Sequence, residues 1–149
     1  MGRADIFYGY SWESPEEFGF SEDDFYALLT WQDERIEQLI AAGRDERFGT
    51  PDPNERWRER SAATIALGAM MHNHGSDNGD VVCPHLRACA APEWWAEHFS
   101  RGNPIELSKL RDIDPAWKAA LDHYLAAHDI EPPQGENQPG WWVVTDDHV

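Results

Sequence analysis

The sequence predicts an α+β protein, with a small, mainly antiparallel sheet packed against two main helices at about residues 22–42 and 115–128. Two amphipathic stretches carry helix-start residues, which predicts the helices. Two aromatic runs of strand character stand near the two ends of the chain, which predicts the sheet. The elements in order read strand, helix, an ambiguous segment, strand, helix, strand. At 149 residues, the chain has the length of one domain, expected over residues 1–149.

The first strand is expected over residues 5–12. Ile6, Tyr8, Tyr10 and Trp12 share one face at period two. Pro15 follows and ends it. The clearest helix begins after Ser21, a good N-cap, with Asp24 at N3 approximating a capping box. Phe20 and Phe25 have the spacing of a hydrophobic staple. Glu22, Asp23 and Asp24 occupy the first turn, where the helix dipole favours negative charge. Phe25, Leu28, Leu29, Ile36, Leu39 and Ile40 follow helical spacing, with Gln32 as the one polar interruption. Gly43 is the stop.

Asn54 can cap a short helical stretch over Glu55 to Arg60. Ser61 to Met71 contains no charged residue. It fits either a buried strand or a continuation of that helix, since periodicity does not separate the two for a short apolar run; strand is the preferred reading. Residues 72–80 form a turn-rich loop in which Asn78-Gly79 suits a hairpin. Val81 to Ala91 reads as extended, interrupted at Pro84. Asp114 as N-cap and Pro115 at N1 open the last helix. Its inner stripe is Trp117, Leu121, Tyr124, Leu125 and His128, and Pro132-Pro133 prevents its continuation. Trp141 to Thr145 is the final strand.

The chain carries 28 Asp and Glu against 12 Lys and Arg, a formal net charge of −16. Residues 1–60 hold 15 acidic and 7 basic side chains and residues 61–149 hold 13 and 5, so each part contributes −8. Such a chain repels a phosphate backbone and anionic lipid, which argues against direct nucleic-acid or membrane binding. No apolar run approaches the roughly 20 residues that span a bilayer, and the N-terminal residues lack a signal-peptide pattern. The expected location is the cytoplasm. Only 41% of residues are hydrophobic, but eight Trp, six Phe and four Tyr supply large apolar area for a core.

The C-terminal half carries an ordered set of short motifs. A His-loop with Ser76 and Asp77 (His74) is followed by Cys83-Pro84. Arg101-Gly102-x-Pro104 comes next, then a Trp117-x-x-x-Leu121 helix and Pro139-Gly140-Trp141-Trp142. This order resembles small, largely uncharacterised proteins of bacteriophages and prophages over about residues 72–145. The chain departs from that pattern at Gly75 and in its Thr145-Asp-Asp-His end. The resemblance implies a phage context, in which small proteins often bind and inhibit host factors, and it supplies no catalytic residues.

Four constellations bear on function. The acidic surface is the first: Glu16, Glu17, Glu22, Asp23 and Asp24, continued by Asp33, Glu34 and Glu37. Carboxylates at helical spacing present a phosphate-like pattern that attracts basic, nucleic-acid-binding clefts. The aromatic pairs are the second. One of Trp94-Trp95 and one of Trp141-Trp142 would face outward on strands, so Trp95 and Trp142 join the candidate contact set. The third is a weak zinc set, His72, His74, Cys83, His85 and Cys89, whose spacing is not a standard ligand pattern; no cofactor is expected. The last concerns catalysis: no nucleophile elbow, phosphate loop or HExxH helix occurs, so a non-enzymatic role is expected.

The resulting expectation is a phage-encoded inhibitor of a host defence complex, of anti-CRISPR or anti-restriction type, in the bacterial cytoplasm. Its partner would be a protein with a basic nucleic-acid-binding surface. The alternatives are a protein that sequesters a nucleotide signal in an aromatic pocket, with Arg56, Arg58, Arg60, Arg87 and Arg101 converging, or a zinc-binding protein.

Overall fold

A computed structural model describes residues 3–12, 19, 21–43, 53–73, 84–92, 110, 112–133 and 139–146. Among them the order of elements is β1 (Arg3–Ser11), α1 (Glu22–Gly43), α2 (Pro53–Leu67), β2 (Ala69–Asn73), β3 (Pro84–Ala88), α3 (Pro115–Ala127) and β4 (Gly140–Asp146). The fold is α+β, with three helices and a four-stranded antiparallel open sheet in the order β2-β3-β1-β4.

The caps predicted for two helices are formed. The Asp24 N–H donates to Ser21 Oγ at 3.1 Å at the start of α1. The Ala116 N–H donates to Asp114 Oδ1 at 2.9 Å at the start of α3, with Pro115 in its first turn. The buried stripe of α1 is Phe25, Leu28, Gln32 and Ile36.

The preferred reading of residues 61–71 as a strand holds from Ala69 and is corrected for residues 61–67. The helix begun at Pro53 runs on through Leu67 and is the third helix of the fold. Ala63 is buried in it, and the Thr64 hydroxyl bonds back to the Ser61 carbonyl. Gly68 then takes φ +94°, a left-handed conformation that glycine adopts without steric cost. It ends the helix and turns the chain into β2. The extended stretch expected around Pro84 becomes β3, which starts at Pro84, where a missing N–H costs no ladder bond. The Asn78-Gly79 hairpin, the Phe20 staple partner and the Pro15 stop lie outside the described residues.

β1 is central. It pairs with β3 from Gly9 to Ser11 and with β4 from Arg3 to Gly9. Gly9 is required there: a Cβ on it would meet the Leu86 carbonyl oxygen at 1.8 Å. One face of the sheet carries Tyr8, Tyr10, Trp12, Ala69, Met71, Leu86 and Ala88. These form one core with Phe25 and Leu28 of α1 and Leu121, Tyr124 and Leu125 of α3. α2 packs beside α1 and reaches β2. Ile6 is buried, in line with the first strand expected from the aromatic alternation. Phe7, on the opposite face, is buried as well.

Candidate functional site

The six described carboxylates of the predicted docking set, Glu22, Asp23, Asp24, Asp33, Glu34 and Glu37, are all exposed on α1. Helical geometry distributes them around the axis. Asp23 and Glu34 lie on the side opposite the buried stripe, three turns and about 16 Å apart. Glu22 and Asp24 flank Asp23 in the first turn, where they also complement the dipole. Asp33 and Glu37 turn toward α2. Arg60 Nη2 stands 3.8 Å from Asp33 Oδ1 and its Nη1 3.5 Å from Glu37 Oε1. The outward acidic set is therefore the first turn of α1 plus Glu34, with two further carboxylates already holding a cation. Glu16, Glu17 and Trp95 lie outside the described residues.

Exposed aromatic surface accompanies these acids. Trp57 is 72% exposed on α2, one turn before Arg60, and Ile65 follows two turns later. Tyr26 and Trp31 are partly exposed on α1. Composition alone does not distinguish Trp57 from the other seven Trp; its surroundings, Glu55-Arg56-Trp57-Arg58-Glu59-Arg60, supply the signal, since a lone aromatic within a fully charged helical run has no apolar stripe to join. Trp142, by contrast, is half-buried on the sheet face away from the core, and its indole N–H donates to the Gly9 carbonyl at 2.9 Å.

That second sheet face holds an aromatic and cationic cluster. His85 and Arg87 are buried, and Arg87 Nη2 lies 3.4 Å from His85 Nε2. The guanidinium carbon also stands 5.1 Å from the Phe7 ring centroid, within cation–π range. The His85 ring stacks on Phe7 at 4.4 Å and on His72 at 5.5 Å. Because Arg has only donors, His85 Nε2 faces a cation, which opposes a metal ion at that nitrogen. Cys89 follows the end of β3, and its backbone N–H donates to the Gly68 carbonyl at 3.0 Å. Of the predicted zinc set, His72 and His85 come together and Cys89 does not join them. His74 and Cys83 lie outside the described residues. No group of three potential ligands occurs among the described residues.

A third cluster lies between α3 and β1. Tyr10 OH donates to Asp122 Oδ1 at 3.1 Å, and Lys118 Nζ reaches Asp122 Oδ2 at 2.6 Å. Burial, then the Asp122 charge and hydrogen bond, push the Tyr10 phenol well above its ordinary value, so it remains a donor. With both carboxylate oxygens engaged, Asp122 is a structural anchor. Beside it, Tyr8, Trp117 and Trp141 meet at centroid distances of 5.3–6.0 Å in tilted and edge geometries. Those are ring-contact distances, so the three rings pack on one another. Arg56, Arg58 and Arg60 sit on α2 while Arg87 is buried in β3. The convergence required of a nucleotide site is not made by these four, and Arg101 lies outside the described residues.

No helix among the described residues is long and apolar enough to cross a membrane. No protein-family model matches the chain, and no curated protein or solved structure is significantly similar to it.

Proposed function

We propose that this protein is a non-enzymatic inhibitor that docks an acidic helical surface onto a basic, nucleic-acid-handling surface of a host protein. The supporting observation is the exposure of every described carboxylate in the predicted set on α1, in a chain of net charge −16. Capping accounts for part of that charge and Arg60 for part of the rest. Glu34 and the outward side of the first turn serve neither packing nor any ion pair among the described residues. A surface of this kind raises association rates with a basic cleft and makes binding sensitive to salt. Trp57, on α2 one turn before Arg60, has the exposure and residue type of an interface anchor. Together with the phage-protein resemblance, this points to a defence complex of anti-CRISPR or anti-restriction type, met in the bacterial cytoplasm.

The test combines substitution with competition. The tagged chain should retain a nucleic-acid-handling host protein at low salt and release it at high salt or to added DNA. A variant with Glu22→Gln, Asp23→Asn, Asp24→Asn and Glu34→Gln should lose that capture while its circular dichroism is unchanged. Recovery of no such protein, or capture that survives the neutralised helix, overturns the reading.

A further inference from the structure

The two edges of the sheet are finished differently. At the β2 edge, the side-chain amide of Gln32 replaces a neighbouring strand. The Met71 N–H donates to Gln32 Oε1 at 2.7 Å, and Gln32 Nε2 donates to the Met71 carbonyl at 3.1 Å. Tyr124 OH donates to the same Oε1 at 2.9 Å and fixes the amide in place. An edge strand closed in this way does not recruit another.

β4 forms the opposite edge and receives no such plug from the described residues. It is longer, with seven residues in register with β1. Its sequence, Gly-Trp-Trp-Val-Val-Thr-Asp, is rich in strand-forming residues and lacks the Lys and Pro that blunt natural edges. Val143 at its middle is 61% exposed. The strand is also tied from both faces: the Trp141 indole donates to the Leu110 carbonyl and the Trp142 indole to the Gly9 carbonyl. A preordered edge loses little conformational freedom when a strand is added.

We propose that β4 is a docking edge for an extended, Lys- or Arg-bearing segment of a partner protein, taken up as a fifth strand. Main-chain bonds would supply affinity and alternate side chains selectivity. Charge decides the occupant. A second copy of this chain brings another −16, whereas a basic strand is attracted. The proposal shares with the docking reading only the preference for a basic partner; it does not depend on α1.

The test uses the full chain with a synthetic peptide of alternating Lys and Val, and a Glu-Val peptide as control. Hydrogen exchange followed by mass spectrometry should show slowed exchange in residues 140–146 with the Lys-Val peptide alone. Val143→Lys should weaken the peptide by at least tenfold, while Val143→Thr retains it. The α1-neutralised variant should keep the protected segment at β4 even if affinity falls. Protection elsewhere with β4 unchanged overturns the proposal, as does equal protection by the Glu-Val peptide. A free chain that is already dimeric with β4 protected also overturns it, since the occupant would be a second copy. None of these outcomes bears on capture through α1, so the two readings fail separately.

Discussion

Each face of the sheet buries side chains, and the two are built from different chemistry. The helix-covered face packs Tyr8, Tyr10, Trp12, Met71 and Leu86 against α1 and α3, with phenol hydroxyls tied off at Asp122 and Gln32. The other face places Phe7, His85 and Arg87 in a stack with no aliphatic side chain among them. The first face is held chiefly by area removed from water. The second depends on ring and cation geometry, where small displacements cost more than the area would suggest. Burial in this chain is therefore not a measure of apolarity: His85 and Arg87 are buried beside Phe7.

The strand shared by both faces gives the largest expected effect. Gly9→Ala sets a Cβ against the Leu86 backbone, which cannot rotate away as a side chain would. A loss of at least about 3 kcal/mol is expected in chemical denaturation, at the upper end of overpacking costs. Retention of wild-type stability would mean that β1 and β3 are not so closely paired.

Gln32→Leu should cost about 2–4 kcal/mol, because it strands the buried Met71 N–H and carbonyl and the Tyr124 hydroxyl. The same variant should increase aggregation through the opened β2 edge. A leucine tolerated without loss would show that the apolar stripe of α1 suffices. On the other face, Phe7→Leu preserves most of the apolar volume and removes the His85 stack and the Arg87 contact. About 1–2 kcal/mol is expected; a change near zero would reduce that face to ordinary packing.

Much of the helix-covered face was legible in the sequence. The caps at Ser21 and Asp114 and the alternation of Tyr8, Tyr10 and Trp12 are local patterns, and each is present. Gln32 was visible as an interruption of its helical stripe, but its purpose was not, because the partner Met71 lies 39 residues away. Residues 61–71 misled for a physical reason. An uncharged run has no polar phase from which to read a period, and the decision between helix and strand falls to the left-handed turn at Gly68. The back face was hidden because Phe7, His85 and Arg87 belong to two strands whose pairing no single segment encodes. In the candidate site, the exposure of the α1 acids was legible, whereas the diversion of Asp33 and Glu37 to Arg60 needed the packing of α1 on α2.

A smaller effect separates the core from its rim. His128 caps α3 beside Trp31, with ring centroids 4.3 Å apart. Burial, and secondarily the charge of His123, hold it below the ordinary imidazole value of 6.5. Protonation therefore favours the unfolded chain. The stabilising contribution is complete above 6.5 and is lost as pH falls below it through the lowered folded value. His128→Gln should flatten the fall in denaturation midpoint between about pH 7 and about pH 5; an unchanged slope would assign it to other groups. Smallest is Arg60→Gln, which removes an exposed pair of contacts to α1 and should cost less than about 1 kcal/mol. Its larger consequence should be stronger salt-dependent capture, since two carboxylates are released.

The central position of β1 carries a consequence for how the chain folds. Its neighbours in the sheet come from much later in the chain; the Trp142 indole and the Gly9 carbonyl it bonds are 133 residues apart. Closing so long a loop precedes any reward from the ladder it completes, which places folding among the slower, non-local topologies. Until that closure, an aromatic strand remains open to pairing with other molecules. Mutual repulsion among chains of net charge −16 opposes such encounters, so the charge assigned to recognition also protects the molecule while it assembles. Refolding yield should accordingly fall as salt is raised.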